Sequence, residues 1–152
     1  MKFVLALVAL TFAGADLALA DSTVWQGQGQ LYDAQRAPLS TYNVQVNIDS
    51  VSATSELRRV SVTNAQGVVL YQDSCTVDKD GNRWRTVCSH SNGGGYYFDH
   101  GLAQEYVTGD SGADYVTQIV IDSPTAMRLM RTELRAGAAT KFFVETLAKI
   151  PQ

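Results

Sequence analysis

Cysteine, proline and histidine are scarce in this chain of 152 residues, with two, three and two copies, and basic residues are not in excess. Twelve Lys and Arg against fifteen Asp and Glu leave a net charge of −3, too little positive charge to attract a polyanion, so nucleic acid is excluded as a partner. Two histidines leave few acid–base schemes, no Gly-x-Ser-x-Gly elbow is present, and no feature of the sequence supports an enzyme. No Pro/Ser-rich linker or internal repeat divides the chain, which points to one domain over residues 21–152. Long apolar runs are absent except at the N-terminus, where Asp16 interrupts a stretch already shorter than the ~20 residues a spanning helix needs.

That N-terminal stretch has the order of a secretory signal. Lys2 precedes an apolar run, and the small-residue triplet Ala18-Leu19-Ala20 stands just before Asp21, which predicts cleavage after Ala20. No cysteine follows the triplet, so a lipid on a mature N-terminal Cys is excluded. The expectation is an exported, soluble protein, periplasmic or extracellular, that does not span a membrane.

Export makes a disulfide the default fate of Cys75 and Cys88. The polar cluster Asp78-Lys79-Asp80-Gly81-Asn82 separates two alternating segments. A turn centred on Gly81-Asn82 sets Cys75 opposite Cys88 and Asp78 opposite Arg85, so one hairpin register satisfies two independent pairings. The same cluster lacks the terminal Glu of a calcium loop and reads as a turn.

Alternation predicts further strands over Val24–Tyr32, Tyr42–Val51, Leu57–Thr63, Val68–Tyr71 and Tyr115–Ile121, with another ending near Val107. The run Gly93-Gly94-Gly95 leads into the aromatic cluster Tyr96-Tyr97-Phe98. Several strands at this spacing imply a mainly β fold, an antiparallel barrel or sandwich. The segment from Thr125 to Gly137 has two readings. As a helix it groups Met127, Met130 and Leu134, with Ser123-Pro124 and Gly137 as caps; as a strand it presents Met127, Leu129 and Arg131 on one face. The strand reading is preferred there, and the final TKFFVETLAKI segment is left open between strand and helix.

Trp25 near the start of the first strand, Asp114-Tyr115 after a turn, and Arg131 on the next segment stand in the order of the three lipocalin motifs, which this chain resembles. Thr23 and Ala113 stand where that family has Gly and Thr. The resemblance implies an up-and-down calycin barrel of eight to ten strands, the alternative being a barrel or sandwich with a C-terminal helix. It also implies that Trp25 and Arg131 close the barrel, and that the interior holds one small apolar molecule.

Tyr96, Tyr97, Phe98, Tyr106 and Tyr115 are then the candidate ligand-binding residues, because aromatic rings give contact area and Tyr hydroxyls a polar handle. His90, His100 and Asp99 flank the glycine run but at no recognised ligand spacing; no metal, cofactor or catalytic residue is expected. The functional expectation is an exported small-molecule-binding barrel. The alternative is an envelope interaction or structural module built on a filled barrel.

Overall fold

The computed structural model describes residues 22–151, so the predicted signal peptide over residues 1–20 lies outside the described residues. Ten strands follow one another along the chain: β1 Ser22–Asp33, β2 Pro38–Ser50, β3 Ser55–Thr63, β4 Val69–Asp80, β5 Arg83–Cys88, β6 Ser91–Tyr97, β7 Leu102–Gly109, β8 Asp114–Ser123, β9 Ala126–Arg135 and β10 Ala138–Ile150. Each pairs antiparallel with its sequence neighbours, and β1 pairs with β10 from Val24↔Ile150 to Asp33↔Lys141, closing the ring. Closure removes every sheet edge that would otherwise be open to pairing with another chain.

Both C-terminal segments are strands, β9 as preferred from sequence and β10 where the sequence left strand and helix open. In β9 the alternation buries Met127, Leu129, Arg131 and Glu133, and in β10 it buries Phe143, Glu145 and Leu147. No C-terminal helix forms, because each segment supplies a buried face at period two and the barrel supplies a partner on both sides. Between β6 and β7 lies a single 3-10 turn, Asp99–Gly101.

The disulfide hairpin adopts the expected register, with Cys75↔Cys88 bonded and Asp78↔Arg85 paired. Its turn places Gly81 at φ 58°, a conformation that costs glycine nothing. Two strand bounds differ from expectation. The strand beginning near Val68 does not stop at Tyr71 but continues as β4 through Cys75 to Asp80, and the glycine run lies inside β6 instead of leading into it.

A meander of this kind divides its turns between two ends. One end carries residues 34–37, 64–68, 89–90, 110–113 and 136–137; the other carries 51–54, 81–82, 98–101 and 124–125. The apolar core inside the ring includes Trp25, Val44, Val46, Ile48, Val60, Val62, Val77, Ile119, Met127, Leu129, Phe143 and Leu147. The outer wall of β1–β3 is polar instead, with Gln26, Gln28, Asn43, Gln45, Asn47, Arg59 and Ser61 facing outward, where a lipid-facing barrel would carry an apolar band. Among the described residues no helix is long and apolar enough to cross a membrane.

Candidate functional site

The inward faces of the strands hold more charge than an ordinary core tolerates. Glu56, Arg58, Asp73, Glu105, Arg131, Glu133 and Glu145 are all buried, and burying an ion is costly unless it is paired or hydrogen-bonded. Most of these groups have identifiable partners. Glu56 takes both Arg58 and Lys79, and Asp73 takes the Tyr71 hydroxyl together with the backbone N–H groups of Ser74 and Ser89. Glu133 accepts from Tyr115 and Thr140 and pairs with Arg135 and Lys141. Burial pushes the Glu133 carboxyl up, but Thr140, Lys141, Tyr115 and Arg135 together hold it below the ordinary carboxylate value. Burial and the Glu133 charge push the Tyr115 hydroxyl up to about 12.

Two cross-strand rows do something different. On β5, β6 and β7, Trp84, Gly95 and Glu105 lie side by side in register. The indole crosses above Gly95, and its Nε1 donates to Glu105 Oε1 at 3.2 Å. A Cβ on Gly95 would sit 2.2 Å from the Trp84 ring, so the glycine is what lets the indole lie flat across its strand. Thr86 donates to the same oxygen at 3.3 Å, and the Tyr97 ring packs on Trp84 with centroids 4.7 Å apart.

The second row repeats the arrangement on β2, β1 and β10. Tyr42, Gly29 and Glu145 are in register, a Cβ on Gly29 would meet the Tyr42 ring at 2.2 Å, and the Tyr42 hydroxyl donates to Glu145 Oε1 at 2.8 Å. Since β1 and β6 are five strands apart in a ring of ten, the two rows occupy opposing walls. Arg131 Nε donates to Thr117 at 3.0 Å, and its guanidinium lies 3.9 Å from Glu145.

In both rows the aromatic residue satisfies one carboxylate oxygen, while Glu105 Oε2 and Glu145 Oε2 are buried with no hydrogen-bond partner among the described residues. Tyr97 Oη and Ser91 Oγ are in the same condition. Burial raises the Glu105 carboxyl above the ordinary carboxylate value, against the pull of Arg58, Trp84, Arg131 and Thr86. It likewise raises the hydroxyls of Tyr42 and Tyr97, which stay protonated. The centre of the barrel is therefore polar and walled by rings, with buried oxygens that no described residue pairs.

The five aromatic residues singled out from sequence do not converge. Tyr97 and Tyr115 point inward, whereas Tyr96, Phe98 and Tyr106 are exposed on the outer wall and the rim. His90 and His100 stand at opposite ends of β6, so they share no site. Trp25 and Arg131 are both buried, but the register sets Arg131 level with Phe143 and Leu31, six residues along β1 from Trp25 and roughly 20 Å away in the strand direction. The expected stacking of one beneath the other does not fit that register. Tyr42, Arg58, Trp84, Glu105 and Glu145 were not anticipated. Their signal was present in strand parity, since Glu105 shares a face with Ala103 and Val107, and Glu145 with Phe143 and Leu147.

Two clefts open on the outside of the barrel. One of about 540 Å³ is lined by residues that include Gln45, Asn47, Arg59, Ser61, Gln72 and Ser74, and one of about 450 Å³ by residues that include Gln26, Gln28, Asn43 and Thr63.

Neither a protein-family model nor a curated protein matches this sequence. Among solved structures, the barrel is similar to an S-type phycobiliprotein lyase from Guillardia theta, with a TM-score of 0.62 and 10% sequence identity over 85% of this chain and 88% of that one. At that identity the likeness is one of backbone architecture, and with the closed ten-stranded meander it gives the chain a calycin-like, lipocalin-like barrel fold.

Proposed function

We propose that this protein is an exported carrier or sensor barrel that holds one small molecule in its interior. The observation behind the proposal is the pair of glutamates, Glu105 and Glu145, each held by an aromatic donor on one oxygen and bare on the other. Buried polar atoms without partners are rare in native structures, and the polar atoms of a bound molecule would pair them. The ligand is amphipathic instead of purely apolar: a flat body lies against Trp84, Tyr97 and Tyr42, and its polar atoms meet the bare oxygens. The fold it shares with a protein named as a phycobiliprotein lyase is compatible with such a role. The disulfide agrees with export. Native mass spectrometry of the exported protein, purified without denaturation, tests this: a one-to-one adduct that dissociates on unfolding is expected, and a bare chain that also fails to bind hydrophobic dyes contradicts it.

A second reading has its own observation. The clefts on the outer wall of β1–β4 are lined by amides and hydroxyls, as suits an interaction module whose barrel is filled. Crosslinking in the native envelope separates the two, because that reading requires a stoichiometric protein partner bound through Gln45, Asn47 and Arg59.

A further inference from the structure

Tyr97 and Glu105 lie on adjacent strands. Tyr97 pairs with Ala103, two residues from Glu105, so their inward side chains are diagonal neighbours with Cα atoms about 7–8 Å apart. Both end in a buried polar atom with no partner among the described residues, Tyr97 Oη and Glu105 Oε2. The other Glu105 oxygen is already committed as an acceptor to Trp84 and Thr86. A proton on this carboxyl group therefore resides on Oε2, which makes that atom a donor on the strand next to that of Tyr97.

We infer that Tyr97 Oη and Glu105 Oε2 form a paired donor site for a single ligand oxygen, the phenolic or ring-carbonyl oxygen of a flat aromatic molecule lying against Trp84. The inference rests on the proposal that the interior takes a small molecule, and it names that molecule's chemistry. A carboxylic acid and a tyrosine hydroxyl on diagonal positions of one inner wall, both donating to the same atom, would stabilise oxygen bearing partial negative charge. Burial shifts both groups toward their protonated forms, and the Arg58 guanidinium acts electrostatically on both from β3, favouring the same kind of oxygen. The Trp84 and Tyr97 rings, tilted by 48° to one another, supply the apolar wall that a ring-bearing ligand needs.

The test uses 2-naphthol and naphthalene, which differ by one hydroxyl, titrated into the purified mature protein. The wild type is expected to bind 2-naphthol about tenfold more tightly or better, since a site with unpaired polar groups discriminates against an analogue that cannot pair them. Tyr97→Phe and Glu105→Leu should each lose most of that preference while keeping their affinity for naphthalene. Glu105→Gln, whose amide still donates, should retain it. Equal affinity of the wild type for the two probes, or a preference that persists in Tyr97→Phe, overturns the paired site while leaving interior binding intact. Binding of neither probe overturns interior binding itself, and the paired site with it. The wild-type comparison needs no variant to fold, and circular dichroism of each variant separates lost recognition from lost structure.

Discussion

Trp84 reaches Glu105 across Gly95, and the hydrogen bond from its indole exists because the residue between them has no side chain. Tyr42 reaches Glu145 across Gly29 by the same means on the opposing wall. Two glycines that would ordinarily weaken a strand thus position the two glutamates on which the functional proposal depends.

Gly95→Ala tests that relationship. The added Cβ would meet the Trp84 ring at 2.2 Å and the Gln104 carbonyl oxygen at 2.3 Å, and the backbone contact gives no room for relief. A loss of about 1–3 kcal/mol is expected in chemical denaturation, the usual range for overpacking. Trp84→Ala in the same background should restore only part of it, because the Gln104 contact remains.

Tyr42→Phe removes the donor to Glu145 Oε1, leaving that oxygen only the Arg131 guanidinium at 3.9 Å while Oε2 stays unpartnered. Leaving a buried acceptor without its donor costs about 1–3 kcal/mol, and equilibrium unfolding should report a loss of that order.

Stability should also depend on pH through Glu105. Burial raises its folded-state pKa above the unfolded value, so the native state binds the proton more tightly. The contribution is fully present below the unfolded carboxyl pKa and is lost as pH rises through the folded one. Glu105→Gln, neutral at every pH, should remove that decline. Glu133 has the opposite sign. Its lowered pKa gives stability that is present above the unfolded value and is lost on acidification, so Glu133→Gln should flatten the acid limb. Denaturation midpoints across a pH series check both slopes.

Reducing the Cys75–Cys88 bond should lower stability by on the order of 3 kcal/mol in the chain-entropy picture. The measurement is a melting curve with and without reductant, paired with thiol counting under denaturing conditions.

Strand periodicity made much of this fold legible. The 75–88 hairpin is registered by its sequence because a turn and two pairings agree on one alignment, and the strand reading of β9 follows from Met127, Leu129 and Arg131 sharing a face. β10 was ambiguous because a short apolar segment such as TKFFVETLAKI suits either structure until a partner strand exists. The site was harder to see. Tyr97 was singled out as part of an aromatic cluster, but its neighbours Tyr96 and Phe98 face outward or lie at the rim, and proximity in sequence says nothing about which side of a strand a ring takes. The two aromatic–glycine–glutamate rows join residues from three strands each, and one of them spans the closure between β1 and β10. No local pattern encodes that juxtaposition; it appears only once the registers are known.

The most direct test of interior binding is the pair of indole N–H signals in a ¹⁵N-labelled sample titrated with 2-naphthol. Trp84 donates to Glu105 in the proposed site, and Trp25 lies elsewhere in the core. The Trp84 indole signal is predicted to shift with saturation at one equivalent, while the backbone amides of Gln45, Asn47 and Arg59 on the outer wall stay in place. Shifts confined to those outer amides, with the Trp84 indole unmoved, would contradict it.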